Sequence, residues 1–397
     1  MRSFVHGSRR WLLAVVGVSL AFAVAACGSK NNSSSSGNSN VSKGSGIRAS
    51  TGSRAEQATA DGKKVGASMG AKVALPVKTI GIINFLNGIE SSDRLAATAK
   101  LAASKLGWKT IQCDGKGTPT VFVACGNSLL DRGVDGIVEI AIDPSQIQSV
   151  LTKAKKAGVP VVQAGGGALP NGDLAGNYGP DEVKAGQVLT DGLIKKLGPG
   201  GGGVIIHDFP AAWAKDRTDQ LRNRIKQGNT KLTILKNTIT DAANIVPFTR
   251  KTTTDELTQY GSKVKAFWMA FDTTGQIAGQ VISAKYAGKS FPDKPLVATF
   301  HADLGTLDLM RQGKIDMTSE ANYDASDWIA VDQMAEYFAR KTPPSQDNQP
   351  KYPVVGDVFS YEIIDSSNLP PKGQYVAPKL DVPSFFASKW QTEFTTG

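Results

Sequence analysis

The chain has 397 residues, of which 41% are hydrophobic, so it is long enough for two globular domains. Its net charge is +10, yet residues 1–26 hold three arginines and no acidic residue, and residues 28–75 hold seven basic and two acidic residues. Residues 76–397 therefore carry only about +2, which excludes the strongly basic surface typical of nucleic-acid binding.

The amino-terminal segment predicts export. Three arginines precede an apolar run from Trp11 to Ala26, and the small residues Val24-Ala25-Ala26 come directly before Cys27. This pattern resembles a bacterial lipoprotein leader, 1–26, that is cleaved so that the thiol of Cys27 carries lipid. The apolar run is shorter than the roughly 20 residues of a spanning helix. We therefore expect an extracytoplasmic protein anchored to the cell membrane by lipid, with the general and twin-arginine export routes both open.

The segment 27–76 predicts a flexible tether. Its first part, Gly28–Asn40, has no apolar side chain that could offset the entropy of ordering it. Residues 52–72 are richer in Ala, Lys and Glu and predict a short helix. The globular part is expected to start near Val77.

Beyond Val77 the chain alternates predicted strands with predicted helices. The first helices stop at Gly107, Gly133 and Gly158, a common end signal. A later helix covers 181–197. Strands are predicted at 79–83, 108–112, 136–140, 160–163, 204–207, 232–235, 266–270 and 296–300. Such alternation predicts parallel sheets covered by helices on both faces, in two doubly wound α/β domains.

Four segments carry a family resemblance: 78–83, 103–108, 133–138 and 155–162. Together they resemble the type I periplasmic-binding-protein family, above all the ribose-binding-like, sugar-type solute-binding proteins of ABC importers. The resemblance covers residues 77–365. It implies two Rossmann-like lobes joined by a three-segment hinge, one small-molecule ligand between them, and an ABC importer permease as partner. We expect a monomer.

The same resemblance implies lobe boundaries. Chain crossings are expected near Asn177–Tyr178, Phe300–Asp303 and Ala321–Tyr323. Lobe 1 is then 77–177 plus 303–320, and lobe 2 is 178–302 plus 321–365. The remaining residues, 366–397, form a C-terminal extension that packs against a lobe or contacts the importer; it contains Phe385, Phe386, Trp390 and Phe394.

Ligand contacts are expected after the carboxyl ends of the strands. The candidate residues are Asn84, Phe85, Asn87, Glu90, Trp213, Lys215, Phe271, Asp272, His301 and Asn322. The resemblance implies an Asp-Arg pair where this chain has Gly165–Gly167, and Phe271 replaces an asparagine, so the ligand is expected to have more ring surface than ribose. Simpler roles stay open: Phe85 as core, the asparagines and Asp272 as caps, and His301 with Asp303 as a hinge pair.

An enzyme is not expected. The chain has no Cys-x-x-Cys spacing, and no activated nucleophile lies beside His207-Asp208. The glycines at 198–203 precede a strand, which makes a poor phosphate cradle. No metal or other cofactor is expected. The alternative function is a ligand-sensing lipoprotein that presents its bound ligand to a membrane receptor.

Cys113 and Cys125 remain once Cys27 is set aside. In an oxidising compartment they either form a disulfide, which we favour, or stay as two buried thiols. A bridge over this short loop would stabilise the fold by about 3 kcal/mol.

Overall fold

The computed structural model describes residues 51–167, 172–228 and 230–396. The predicted leader, Cys27 and the first part of the tether lie outside the described residues. The described chain is a mixed α/β protein with two parallel-sheet lobes, which confirms the predicted fold class. Across these residues, no helix has both the length and the apolar character that a membrane crossing requires.

The first half of the described chain alternates helices and strands. In chain order the elements are α1 (Thr51–Ser68), β1 (Val73–Leu75), β2 (Thr79–Asn84), α2 (Glu90–Lys105), β3 (Lys109–Asp114), α3 (Pro119–Asp131), β4 (Gly136–Ile140), α4 (Gln148–Lys156), β5 (Val161–Ala164) and β6 (Gly176–Tyr178). Lobe 1 is built on the parallel sheet β3-β2-β4-β5-β6. Every residue of β4 is buried, as expected for a central strand with helices on both faces.

The second half follows the same plan. Its elements are α5 (Glu182–Leu197), β7 (Gly202–Asp208), α6 (Ala212–Lys226), β8 (Leu232–Ile239), α7 (Ile245–Tyr260), β9 (Val264–Met269), α8 (Asp272–Lys285), β10 (Leu296–Phe300), α9 (Leu304–Arg311), β11 (Met317–Glu320), α10 (Ala325–Arg340), β12 (Glu362–Asp365), α11 (Val382–Glu393) and β13 (Phe394–Thr396). Lobe 2 is built on the sheet β12-β11-β10-β9-β7-β8, in which only β12 runs antiparallel to its neighbour.

The lobe boundaries differ from the predicted ones. The expected crossing at Phe300–Asp303 is wrong, because α9 packs on lobe 2 through Leu307 and Met310, and β11 pairs with β10 in the second sheet. Residues 303–320 therefore belong to lobe 2. Conversely, α10 packs on α2 and on strands of the first sheet, so 325–340 belong to lobe 1. The chain crosses after β6, between β11 and α10, and again over 341–361 between α10 and β12.

The chain termini of the described part meet on lobe 1. Helix α1 lies along α11, and β1 pairs in parallel with β13. The helices can approach this closely because Gly62 has no side chain. A Cβ at this position would lie only 2.2 Å from the carbonyl oxygen of Phe385. Ala58 and Val65 of α1 are fully buried. Residues 51–76 are therefore a packed part of lobe 1, and the expected start near Val77 is wrong for the described residues. The helix expected within 52–72 is present as α1.

Helix α11 is held on α10 by a buried ionic cluster. The Nζ atom of Lys389 lies 2.7 Å from Asp332, 3.1 Å from Glu336 and 2.7 Å from Glu393. Trp390 Nε1 also donates to Asp332, at 2.7 Å. Burial raises the pKa of Glu393 to about 8, against the opposing effect of Lys389. The C-terminal helix therefore packs against a lobe, one of the two outcomes the sequence left open.

The segment 366–381 leads from β12 back to α11 and forms a fourth connection between the lobes. On the lobe 2 side, Leu369 and Val376 pack against the lobe 2 core, and Arg311 Nη2 donates to the carbonyl oxygen of Pro370 at 2.5 Å. On the lobe 1 side, the guanidinium of Arg94 lies 4.3 Å from the ring centroid of Tyr375.

Candidate functional site

A cavity of about 60 Å³ lies between the lobes, at the carboxyl ends of both sheets. Its walls are mostly apolar and aromatic, with a few polar groups. Lobe 1 contributes Phe85, Ile89, Ser91, Ser92, Leu95, Ile140, Ala141 and Gly165; lobe 2 contributes Phe209, Trp213, Arg217, Ile245, Phe271 and His301. Loops that follow strands supply many of these residues, which is where parallel sheets bind ligands.

Four aromatic rings form one wall of the cavity. Phe209 stacks on Trp213 with centroids 5.4 Å apart, and Phe271 meets Phe209 edge to face at 5.2 Å. Phe85 approaches from lobe 1, 6.1 Å from Phe209. Trp213 Nε1 is buried without a hydrogen-bond partner among the described residues. Rings of this kind bind the C–H face of a cyclic solute, and the free indole N–H can donate to it.

Arg217 is the central polar residue of the cavity. Its Nε and Nη2 atoms donate to the two carboxylate oxygens of Glu182, at 2.6 and 2.7 Å. Nη1 donates to the carbonyl oxygen of Ala270 at 2.9 Å, and Nη2 to the hydroxyl of Tyr323 at 3.1 Å. Burial opposes the charge of the guanidinium, but Glu182 outweighs it and raises the pKa of Arg217. Arg217 therefore stays charged, with one Nη1 hydrogen left for a ligand.

His301 lies beside Arg217 and is neutral. Its Nε2 atom is 3.3 Å from Nη2 of Arg217, and its ring lies 3.9 Å from that of Tyr323. Burial, together with Arg217 and Arg94, lowers the pKa of His301 well below its usual range. Because Nε2 faces a donor, Nδ1 carries the hydrogen and is the atom able to donate to a ligand.

Three polar contacts join the lobes beside the cavity. Glu90 on α2 accepts from the backbone N–H of Gly305 at 3.0 Å, and Ser91 Oγ donates to Asp272 at 2.9 Å. Arg94 donates to Asp303 at 3.1 Å and pairs with both oxygens of Asp324 at 2.8 Å. These contacts hold the two lobes together around the cavity.

A buried carboxyl group, that of Glu139, holds the loop that follows β4 in place. Glu139 accepts from the backbone N–H of Ile142 at 2.9 Å and from Gln163 Nε2 at 2.7 Å. Burial raises its pKa to about 8, because these two hydrogen bonds only partly offset the loss of water. Glu139 thereby positions Ile140 and Ala141, which line the cavity.

The model of the periplasmic binding protein domain family matches residues 50–342. The chain belongs to the periplasmic binding protein family. It is thus a binding protein rather than an enzyme, and family membership implies an extracytoplasmic location.

Solved structures support the same fold. An ABC transporter solute-binding protein from Mycobacterium smegmatis with bound glycerol is 22% identical, with a TM-score of 0.64, over 76% of this chain and 100% of that one. An ABC transporter solute-binding protein from Agrobacterium vitis with bound allitol is 20% identical, with a TM-score of 0.62, over 74% and 96%. The xylitol-binding protein of Mycolicibacterium smegmatis is 34% identical over 84 residues, which span 21% of this chain and about a quarter, 24%, of that protein.

Six of the ten predicted contacts lie outside the cavity lining, and the first two of them are Asn84 and Asn87. Asn84 is buried and bonds within its own loop, donating to Asn87 at 2.6 Å and to Asp93 at 2.8 Å while its oxygen accepts from Ser92. Asn87 is exposed and also accepts from Gln112. Both asparagines shape the loop that carries Phe85, which is the simpler role left open for them.

The other eight predicted residues line the cavity, join the lobes or do neither. Phe85, Trp213, Phe271 and His301 line the cavity. Glu90 and Asp272 join the lobes, as described above. Lys215 is exposed and pairs with Asp219, while Asn322 lies in the crossing before α10, with a φ of 52° and its side chain donating to the carbonyl oxygen of Val358 at 3.4 Å. Neither Lys215 nor Asn322 lines the cavity.

The sequence reasoning missed Arg217 and Phe209. A helical signal could have found Arg217, because positions 213 and 217 share one face of α6 whereas 215 points away. Phe209 directly follows the strand β7, so the strand-end rule that selected Phe271 also applied to it.

Cys113 and Cys125 form a disulfide, with their Cα atoms 5.6 Å apart. The bridge connects β3 to α3. It ties down the loop that follows β3, beside Phe85 and Phe122, whose rings are 5.3 Å apart.

Proposed function

We propose that this protein is an extracytoplasmic solute-binding lipoprotein that captures a small polar cyclic solute, a carbohydrate or sugar-like molecule, for an ABC importer. The observation that carries the proposal is the cavity lined from both lobes, with stacking rings on one side and Arg217 and His301 on the other. A ring face needs apolar contact, whereas hydroxyl groups need hydrogen bonds, and this cavity offers both.

Capture would work through closure of the hinge. A ligand that contacts both lobes binds the closed state better than the open state, so it shifts the population toward closure. The contacts of Glu90 with Gly305 and of Ser91 with Asp272 form only when the lobes meet. Closure would then give an importer permease one combined surface to recognise. The xylitol, allitol and glycerol named for similar proteins favour a hydroxylated ligand.

The lipid anchor at Cys27 is part of the proposal. It is supported by the charged start, the short apolar run and the small residues before Cys27. Cys27→Ser should abolish incorporation of labelled fatty acid and move the protein from the detergent phase to the aqueous phase. Unchanged labelling would contradict lipidation at this residue. We also propose that the protein acts as a monomer, which sedimentation can test.

The first experiment is a thermal-shift screen of the purified protein against sugars, polyols, nucleosides, amino acids and small aromatic acids. A ligand at 100 times its Kd adds about 2.7 kcal/mol to the free energy of unfolding. A stabilising sugar or cyclic polyol, together with loss of its uptake in cells that lack the protein, would support the proposal. Stabilisation only by the other classes of compound would contradict a sugar-like ligand. No stabilisation by any compound would contradict solute capture.

A further inference from the structure

The cavity has two chemically different ends. At the polar end, Arg217 and His301 lie 3.3 Å apart, and Ser91 Oγ bonds to Asp272 at 2.9 Å. At the other end, Phe85, Ile89, Phe209 and Ile245 lie in one apolar cluster to which both lobes contribute. These four side chains contain no polar atom.

Trp213 contacts residues of both ends. Its ring centroid is 5.4 Å from that of Phe209 and 4.7 Å from Cζ of Arg217. Its unpartnered Nε1 adds a donor at this position. Trp213 therefore borders both the polar residues and the apolar cluster, and all of them line the same cavity.

A hydroxyl group at the apolar end would lose its water without gaining a partner. Removing a polar group from water without a new hydrogen bond is unfavourable, whereas a methyl group gains from the same transfer. The apolar end therefore disfavours a ligand that carries hydroxyls on every side.

The polar end favours an uncharged ligand. The charge of Arg217 is already matched by Glu182, which accepts two of its hydrogen bonds. An anionic ligand would compete with Glu182, and a cationic ligand would be repelled by Arg217. Hydroxyl groups can use the remaining Arg217 hydrogen, Nδ1–H of His301 and the lone pairs of Ser91 Oγ.

We infer that the ligand is a neutral deoxy sugar, whose hydroxyl edge meets Arg217, His301 and Ser91 and whose methyl end fills the site formed by Phe85, Phe209 and Ile245. This inference rests on the proposed function and names the ligand class within it.

The test is calorimetry of the full chain with pairs of sugars that differ only in the terminal hydroxyl: L-fucose and L-galactose, D-fucose and D-galactose, L-rhamnose and L-mannose. We expect the deoxy member of at least one pair to bind about 10- to 100-fold more tightly, the range in which an apolar pocket rejects an added hydroxyl.

Two variants of one residue separate polarity from packing. Ile245→Thr places a hydroxyl at the apolar end, so it should reduce the preference within that pair by about tenfold, as one unmade hydrogen bond predicts. Ile245→Val removes one carbon without adding polarity and should keep the preference. Equal changes in both variants would overturn the assignment of the methyl end to this site.

The outcomes also distinguish the inference from the proposed function. Parent sugars that bind as tightly as their deoxy partners, or binding confined to fully hydroxylated sugars and cyclic polyols, would overturn the inference and leave the proposed capture of a sugar or sugar-like molecule standing. Binding confined to other ligand classes, or no binding by any sugar or polyol, would overturn both.

Discussion

Glu139 offers the sharpest test of the electrostatics beneath the cavity. Burial raises its pKa to about 8, from 4.5 for an ordinary glutamate. The folded state therefore keeps the proton to a higher pH than the unfolded state does. The resulting contribution to stability is complete below pH 4.5 and is lost as the pH rises through 8.

The substitution Glu139→Gln keeps the shape of the side chain and removes its titration. Between about pH 6 and about pH 9, the wild-type protein should lose about 3 kcal/mol of folding free energy that the variant does not lose. At about 2 °C per kcal/mol, the difference in Tm between the two proteins should change by about 6 °C.

The assay is thermal unfolding followed by circular dichroism, with both proteins at each pH. Other titrating groups, such as Glu393, are present in both proteins and cancel in the comparison. Parallel loss of Tm in the two proteins over this range would refute the argument, because it would mean that Glu139 is already ionised in the folded state at the lower pH.

Three further predictions concern the site, the bridge and the C-terminal helix. Trp213→Ala should weaken ligand binding in calorimetry by more than about 1 kcal/mol, since it removes a stacking ring. The control variant Lys215→Ala should leave the affinity unchanged. Equal changes in affinity for the two variants would mean that Trp213 is not part of the site. Mass spectrometry of the folded, unreduced protein should find no free thiol at Cys113 or Cys125, and reduction should lower the free energy of unfolding by about 3 kcal/mol; two free thiols would contradict the bridge. Lys389→Met should lower that free energy by about 3–5 kcal/mol in urea, because it leaves buried carboxylates without their cation; an unchanged transition would mean that α11 does not depend on the cluster.

Most of the strands that the sequence predicted are rich in apolar residues. β2, β4 and β5 are buried on both faces, so their residues are mostly apolar and the strands can be predicted from composition. β11 is equally buried, but its residues are Met-Thr-Ser-Glu. Two of its polar side chains have partners far along the sequence: Ser319 Oγ donates to the carbonyl oxygen of Ala185, and Glu320 accepts from the backbone N–H of Ala302. Such a strand has no apolar pattern, which is why the predicted crossing was misplaced.

The site was partly predictable for a related reason. Rules for strand ends selected Phe85, Phe271 and His301, which line the cavity, because position along the chain is enough to select them. The role of Asn84 could not be chosen in the same way, since it depends on whether Asn87, Ser92 and Asp93 satisfy its amide first. Local hydrogen bonding of that kind becomes visible only when the loop conformation is known.

The pairing of α1 with α11 sets the order in which the protein can fold. Ser388 Oγ donates to the carbonyl oxygen of Thr59 across 329 positions of sequence, and Trp328 stacks on Trp390 at 5.5 Å. Contacts between such distant positions form slowly, because a long loop must close before they add stability. A chain synthesised from its amino end has all the strands of the first sheet early, yet gains α10 only after β11 and α11 only after β12. The lobe that begins first is completed last, so loss of even the final fifteen or so residues would leave Trp328 uncovered and the earliest helix without its partner.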